Sequence, residues 1–77
     1  PDDVESVIEE HEMARLIGAF LDSLPRDERR VFLCRYWYME SVSDIARAYG
    51  FTSSKTASML HRTRGKLRTF LESEGYL

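Results

Sequence analysis

Residues 42–71 read VSDIARAYGFTSSKTASMLHRTRGKLRTFL, and this stretch decides the fold that we expect. Before Gly50, one helix face is marked at three- and four-residue spacings by Val42, Ile45, Ala46 and Tyr49. After it, a longer stripe comprises Thr56, Met59, Leu60, Thr63, Leu67, Phe70 and Leu71. Gly50 can adopt the left-handed conformation that ends the first helix, and Thr52 is well placed to cap the second. So short a turn between two helices predicts a helix-turn-helix over residues 42–71.

Two further helices are predicted upstream, with their main part over residues 13–38. The first runs from about Val4 to Leu21, with its clearest periodicity after residue 12. Pro25 suits the first position of the second helix, which we expect to run to about Tyr38. Ser41 and Asp44 then have the spacing of a capping box, which opens the first helix of the helix-turn-helix.

The whole chain of 77 residues is short enough to form one domain. No strand pattern competes with the helical ones, so the sequence predicts an all-α fold. We expect a compact bundle of about four helices, similar to a winged-helix DNA-binding domain without the wing. Gly18 interrupts the first helix, which we interpret as close packing against another helix.

Charge is unevenly distributed along the chain, although the net charge is only −2. An acidic segment, residues 1–12, has six carboxylates and no Lys or Arg: Asp2, Asp3, Glu5, Glu9, Glu10 and Glu12. Residues 53–71 reverse this, with Lys55, Arg62, Arg64, Lys66 and Arg68 and no acid. Each run alone is equally well explained as a solvated helix face. Together with a helix-turn-helix, the basic run indicates nucleic-acid binding.

Several other functions find no support in the sequence. No apolar run approaches the ~20 residues of a membrane span, and no signal-peptide pattern is present, so we expect no membrane insertion. The single Cys34 fits a reducing cytoplasm and a buried apolar site. No metal-binding or phosphate-loop motif occurs, and no catalytic set is recognisable, so we expect no enzyme, metal or cofactor. The chain begins at Pro1 rather than at a methionine. A fragment of a longer protein would begin in this way, and so would a chain that had been processed or whose ends had been chosen by design.

The second helix of the helix-turn-helix carries the candidate DNA contacts. Helical geometry places Ser54, Ser58, His61, Arg62 and Gly65 opposite the buried stripe around Thr56. The residues expected to read bases are Ser53, Ser54, Lys55, Ala57, Ser58 and Arg62, because the start of such a helix enters the major groove first. The residues expected at phosphates are Ser41, Ser43, Thr52, Arg64, Lys66 and Arg68.

Three consecutive aromatic residues, Tyr36, Trp37 and Tyr38, form a second candidate surface. Consecutive helical positions point in different directions, so all three cannot be buried. We expect at least one ring in the core and one or two on the surface, where a protein contact is plausible.

Four segments together resemble a known family. They are LPRDERRVF over residues 24–32, RYW over 35–37, SDIA over 43–46 and SMLHRTRGKL over 58–67. The combination is similar to the C-terminal region 4 of bacterial RNA polymerase sigma factors of the sigma-seventy family, particularly the extracytoplasmic-function group. The resemblance covers roughly residues 13–71.

The resemblance implies a domain that recognises the minus-35 element of double-stranded promoter DNA through residues 53–71. It also implies docking on the beta-subunit flap of the RNA polymerase core, masking by an anti-sigma factor in some members, and action in the cytoplasm. This chain departs from the family pattern at three places. Ala57 stands where a basic residue is frequent, Thr56 where an aliphatic one is, and Met39-Glu40 at a turn that is usually Gly-Leu.

Two alternatives remain open from the sequence alone. The chain could serve mainly as a protein-interaction domain, using the acidic segment and the aromatic residues 36–38. It could also be the DNA-binding end of another helix-turn-helix regulator, such as a two-component response regulator, since those proteins share a similar upstream helix.

Overall fold

The computed structural model describes residues 3–77, with side chains described from Glu9 onward. It contains four helices: α1 (Asp3–Ser23), α2 (Arg26–Tyr36), α3 (Val42–Tyr49) and α4 (Ser53–Ser73). The described part of the chain has no strand, and the all-α prediction is confirmed. The predicted apolar positions at Val4, Val7 and Ile8, and the acidic side chains of residues 2–5, lie outside the described side chains.

The core forms where α2, α3 and α4 meet. Its buried centre comprises Val31, Ile45, Met59 and Leu60, with Cys34, Val42, Tyr49 and Phe51 packed around it. The predicted α4 stripe is confirmed, since Thr56 and Thr63 are also buried and Leu67 is half-buried. Burial of this stripe fixes which side of α4 faces outward.

The two buried threonines of α4 satisfy their own hydroxyl groups. The Thr56 hydroxyl donates to the Thr52 carbonyl at 3.0 Å, and the Thr63 hydroxyl donates to the Met59 carbonyl at 2.9 Å. A buried hydroxyl bonded in this way carries little desolvation cost. Thr56 therefore packs much as the aliphatic residue implied by the family resemblance would.

Helix α1 attaches to this core through aromatic side chains. The buried Phe20 ring lies 6.2 Å from that of Phe32 on α2 and 5.6 Å from that of Phe70 on α4, measured between centroids. Our interpretation of Gly18 as a close-packing position is wrong, because it is exposed and an added Cβ would meet nothing within 4 Å. Gly18 precedes Phe20 by two residues, which places it about 160° away around the helix.

The helix-turn-helix is built as its sequence predicts. Gly50 ends α3 with φ +70°, and the Phe51 N–H donates to the Ala46 carbonyl at 2.9 Å. Thr52 caps α4, its hydroxyl accepting from the Lys55 N–H at 3.0 Å. These local bonds close the turn and orient α4 against α3.

The start of α3 shows half of the predicted capping box. The Ser41 hydroxyl accepts from the Asp44 N–H at 3.1 Å. The Asp44 carboxylate instead accepts from Arg47 at 3.0 Å. An aspartate is one methylene shorter than the Glu or Gln usual at this position, which reduces its reach back to the cap.

The limits of α2 differ slightly from the prediction. Pro25 is the N-cap, one residue before the helix, rather than its first residue. The helix ends at Tyr36, two residues early, and the Trp37 and Tyr38 N–H groups both donate to the Leu33 carbonyl. Met39 then adopts φ +58°, a left-handed conformation in which glycine is favoured. This conformation explains the Gly-Leu that the family resemblance implies at this turn.

None of the helices in the described region is both long enough and apolar enough to cross a membrane.

Candidate nucleic-acid interface

The outward face of α4 is polar and exposed. Thr56 on the inner side has no exposed surface, whereas the proposed base-reading residues are all exposed: Ser53, Ser54, Lys55, Ala57, Ser58 and Arg62. His61 and Gly65 are exposed on the same side, as helical geometry predicts. This face has hydroxyls, an imidazole and cations, and no carboxylate before Glu72.

The hydroxyl groups expected at phosphates take part in helix caps. Thr52 and Ser41 each accept a backbone N–H, and the Ser43 hydroxyl oxygen lies 3.3 Å from that of Ser41. A hydroxyl that accepts still has its own hydrogen to donate. The caps therefore hold Thr52 and Ser41 in place and leave a donor for an anion at the start of each helix.

Lys55 is held at the first turn of α4 by an aromatic ring. Its ammonium nitrogen lies 4.1 Å from the centroid of the Phe51 ring, which is cation–π geometry. The Phe51 ring in turn stacks on Tyr49 at 5.7 Å. Phe51, which was not singled out from the sequence as a site residue, thus fixes a cation at the beginning of the exposed face.

Arg64 and Lys66 lie beside the buried stripe rather than opposite it. At 100° per residue they fall about 80° to either side of Thr56. Arg64 Nη1 donates to the Tyr36 hydroxyl at 2.7 Å, and Lys66 Nζ donates to Glu28 Oε1 at 2.9 Å. Both partners belong to α2, so each of the two cations contacts one end of α2.

Arg62 and Arg68 differ in their surroundings. Arg62 forms no ion pair with any residue that the structure describes. Arg68 Nε lies 3.9 Å from the Glu72 carboxylate, and both side chains are well exposed. Exposed pairs of this kind contribute little stability, so Arg68 is readily released to another anion.

An apolar groove lies between α1 and α2 and extends to the turn that follows α2. Its volume is about 410 Å³, and it is lined by Ile17, Leu21, Phe32, Leu33, Tyr36, Trp37 and Tyr38. The expectation of a buried ring among residues 36–38 is wrong, because Tyr36, Trp37 and Tyr38 are 41%, 75% and 67% exposed. Helix α2 ends at Tyr36, so Trp37 and Tyr38 lie in the turn beyond it.

Sequence reasoning missed the α1 side of this groove. Ile17 and Leu21 are four residues apart and fit the apolar stripe of α1, so they read as core positions. The structure leaves both half-buried at the groove. The described residues hold no cluster of three or more His, Cys, Asp or Glu that could bind a metal ion.

The four helices and the polar outward face of α4 define a helix-turn-helix domain of the kind found in transcription factors. A family model described as "Sigma-70, region 4" matches residues 14–67, more than half of the chain. The chain therefore belongs to the sigma-70 region 4 family, and this membership supports a DNA-binding role in transcription initiation. The match also favours a sigma factor over the response-regulator alternative.

A comparison with a curated protein agrees with the family. The chain is 34% identical over 70 residues to the RNA polymerase sigma-E factor of Streptomyces avermitilis. The matched region is 91% of this chain but 39% of that protein. The chain thus spans about two fifths of the length of its relative.

Proposed function

We propose that this domain recognises the minus-35 element of promoter DNA through the outward face of α4. The observation that carries the proposal is the contrast across α4 between a buried, largely apolar stripe and an exposed face that has no carboxylate before Glu72. The inner stripe fixes the helix in the fold, so the serines and cations of the other face are presented as one rigid surface. In a helix-turn-helix, that surface fits the major groove.

The proposed contacts divide along the length of α4. Its first turns place Ser53, Ser54, Ala57 and Ser58 together, with Lys55 and Arg62 beside them on one side. Serine hydroxyls can donate to or accept from base edges, arginine can donate two hydrogen bonds to guanine, and an alanine methyl can contact a thymine methyl. These six residues are our candidates for base recognition.

The remaining cations and capped hydroxyls are our candidates for phosphate contacts: Ser41, Ser43, Thr52, Arg64, Lys66 and Arg68. Such contacts set the register of the protein on DNA without reading sequence. A single module of this size buries only about 600–1,000 Å² of protein surface on DNA. We therefore expect the isolated domain to bind weakly and with steep salt dependence.

Charge-matched variants test this proposal. Arg62→Ala and Arg15→Ala each remove one positive charge, but Arg15 is an exposed residue of α1 paired with Glu12. In fluorescence anisotropy titrations against a cognate promoter duplex, we expect Arg62→Ala and Ser58→Ala to bind more weakly, and Arg15→Ala to bind like the wild type. Equal affinity of all four proteins would show that α4 does not face the DNA.

We further propose that the apolar groove between α1 and α2 docks on the beta flap of the RNA polymerase core. The groove offers contiguous apolar side chains with the exposed indole of Trp37 at its edge. Aromatic residues exposed around an apolar depression are typical of the centre of a protein interface. An anti-sigma factor that masks the domain would be expected to cover either this groove or the DNA-binding face.

A second pair of variants separates docking from DNA binding. Trp37→Ser removes the most exposed aromatic side chain of the groove, whereas Tyr76→Ser removes an exposed aromatic near the C terminus. We expect Trp37→Ser alone to lose binding to a purified beta flap fragment while it retains DNA affinity. If Trp37→Ser keeps full flap binding, the groove is not the docking surface. If flap binding is strong and no α4 variant changes DNA affinity, the domain acts mainly in protein interaction.

A further inference from the structure

Tyr36 belongs to both surfaces of this domain. Its ring lines the apolar groove and packs against Phe32, with 4.8 Å between ring centroids. Its hydroxyl reaches the other way and accepts a hydrogen bond of 2.7 Å from Arg64 Nη1 on α4. The residue therefore connects α2 to a cation at the margin of the DNA-facing side.

The hydrogen bond holds the arginine without neutralising it. The Tyr36 hydroxyl is uncharged, and it occupies one of the five N–H donors of the guanidinium. Four donors and the full charge of Arg64 remain for a phosphate, which guanidinium groups bind in bidentate fashion. Lys66 differs, because its partner Glu28 is a carboxylate that cancels its charge locally.

Holding Arg64 in advance matters because the residue is otherwise an exposed, many-jointed side chain. Ordering such a side chain at the moment of binding costs conformational entropy. The Tyr36 ring is a rigid anchor, fixed on one side by Phe32, and its hydroxyl restricts the guanidinium before DNA arrives.

We propose that Tyr36 is a positioning residue for DNA binding, whose hydroxyl holds the Arg64 guanidinium where it contacts a DNA phosphate. This inference rests on the proposed function, in which α4 faces DNA, and adds a residue of α2 that touches no base or phosphate itself. It assigns to the Tyr36 hydroxyl a role separate from that of its ring in the groove.

A double-mutant cycle tests the proposal. The variants are Tyr36→Phe, Arg64→Ala and their combination, with Tyr38→Phe as the control. Tyr36→Phe keeps the ring packed on Phe32, and the Tyr38 hydroxyl has no hydrogen-bond partner among the residues that the structure describes. Affinity for the promoter duplex is measured across a salt series, at a temperature where melting curves show every variant folded.

We expect Arg64→Ala to bind about fivefold more weakly, and its plot of log affinity against log salt to lose about one unit of slope, as for one phosphate contact. Tyr36→Phe keeps the charge and loses only the anchor, so we expect a loss of about twofold to threefold. The double variant should be no weaker than Arg64→Ala, and Tyr38→Phe should match the wild type.

A second measurement reports on the arginine directly. In ¹⁵N relaxation of the free protein, we expect the Arg64 Nε–H group to become more mobile in Tyr36→Phe and to stay unchanged in Tyr38→Phe. A variant that acted only through fold stability would not change this signal selectively.

The outcomes separate the two proposals. If Tyr36→Phe binds DNA like the wild type, or if its loss multiplies with that of Arg64→Ala, Tyr36 does not position Arg64. If Arg62→Ala weakens binding but Arg64→Ala does not, the positioning role is wrong and the DNA-facing assignment of α4 stands. If neither arginine variant changes affinity, both proposals are overturned.

Discussion

The left-handed conformation of Met39 lowers the stability of the folded domain by an amount that follows from its backbone geometry. Met39 has φ +58°, and the residue is 77% exposed. For a residue with a Cβ, this conformation costs about 1–2 kcal/mol, and glycine escapes most of that cost. Glycine also makes the unfolded chain more flexible, which returns about 0.4–1 kcal/mol of the gain. Met39→Gly should therefore be more stable than Met39→Ala by roughly 1 kcal/mol.

The comparison between the glycine and alanine variants isolates the backbone contribution. Both lose the same exposed methionine side chain, but only alanine keeps the Cβ that opposes the left-handed turn. Urea and thermal denaturation followed by circular dichroism measure the difference, which for a domain of this size is about 4–8 °C in Tm. If Met39→Ala is as stable as Met39→Gly, the backbone strain at this turn only equals the unfolded-state cost of glycine, about 0.4–1 kcal/mol, and the calculated strain is too large.

Three further predictions concern the rest of the fold. Gly18→Ala should raise the free energy of unfolding by about 1 kcal/mol, since the position is helical and exposed and an added Cβ meets no other atom. Thermal denaturation measures this change, and an unchanged Tm would contradict the prediction. Thr56→Val should change the free energy of unfolding by less than about 1 kcal/mol in urea titrations, because the hydroxyl bonds only within its own helix; a larger loss would show that this bond matters. Burial raises the pKa of the Cys34 thiol and of the Tyr49 hydroxyl. Between the unfolded-state and folded-state pKa values, each group loses its proton more readily in the unfolded chain. The stability that these groups contribute is therefore complete below their unfolded-state pKa values and declines as pH rises toward their folded-state pKa values. The free energy of unfolding should therefore decline above about pH 8.5, and Tyr49→Phe should make that decline shallower.

The helix-turn-helix could be predicted because its determinants are local in sequence. Gly50 ends α3 in the left-handed region, and Thr52 caps α4 through an N–H only three residues away. The buried stripe of α4 follows from spacing alone, since a helix that turns by 100° per residue brings Thr56 and Thr63 to the same side. The residues on the opposite side of α4 then form its polar outward face.

The groove and the cation partners could not be predicted because they depend on how distant segments approach each other. The spacing of Ile17 is that of a core residue, and only the structure shows that it lines a groove between α1 and α2. The partners of Arg64 and Lys66 lie 28 and 38 residues away in the chain, and no spacing rule connects them. The direction of α2 across α4 decides both contacts, and that direction results from packing.

The net charge of −2 is compatible with DNA binding because the acidic segment lies apart from the basic residues at the beginning of α4. Glu9 and Glu10 line a depression together with Tyr76, so the described acids of the acidic segment lie near the C-terminal end of α4. Helix α4 has 21 residues and is therefore about 30 Å long, roughly three Debye lengths at 0.1 M salt. At its first turns, the repulsion between these acids and a phosphate is largely screened, whereas Lys55 and Arg62 are adjacent to the proposed DNA surface. The domain is thus electrostatically polarised along α4, which favours approach of DNA to the serine-rich beginning of the helix rather than to its end.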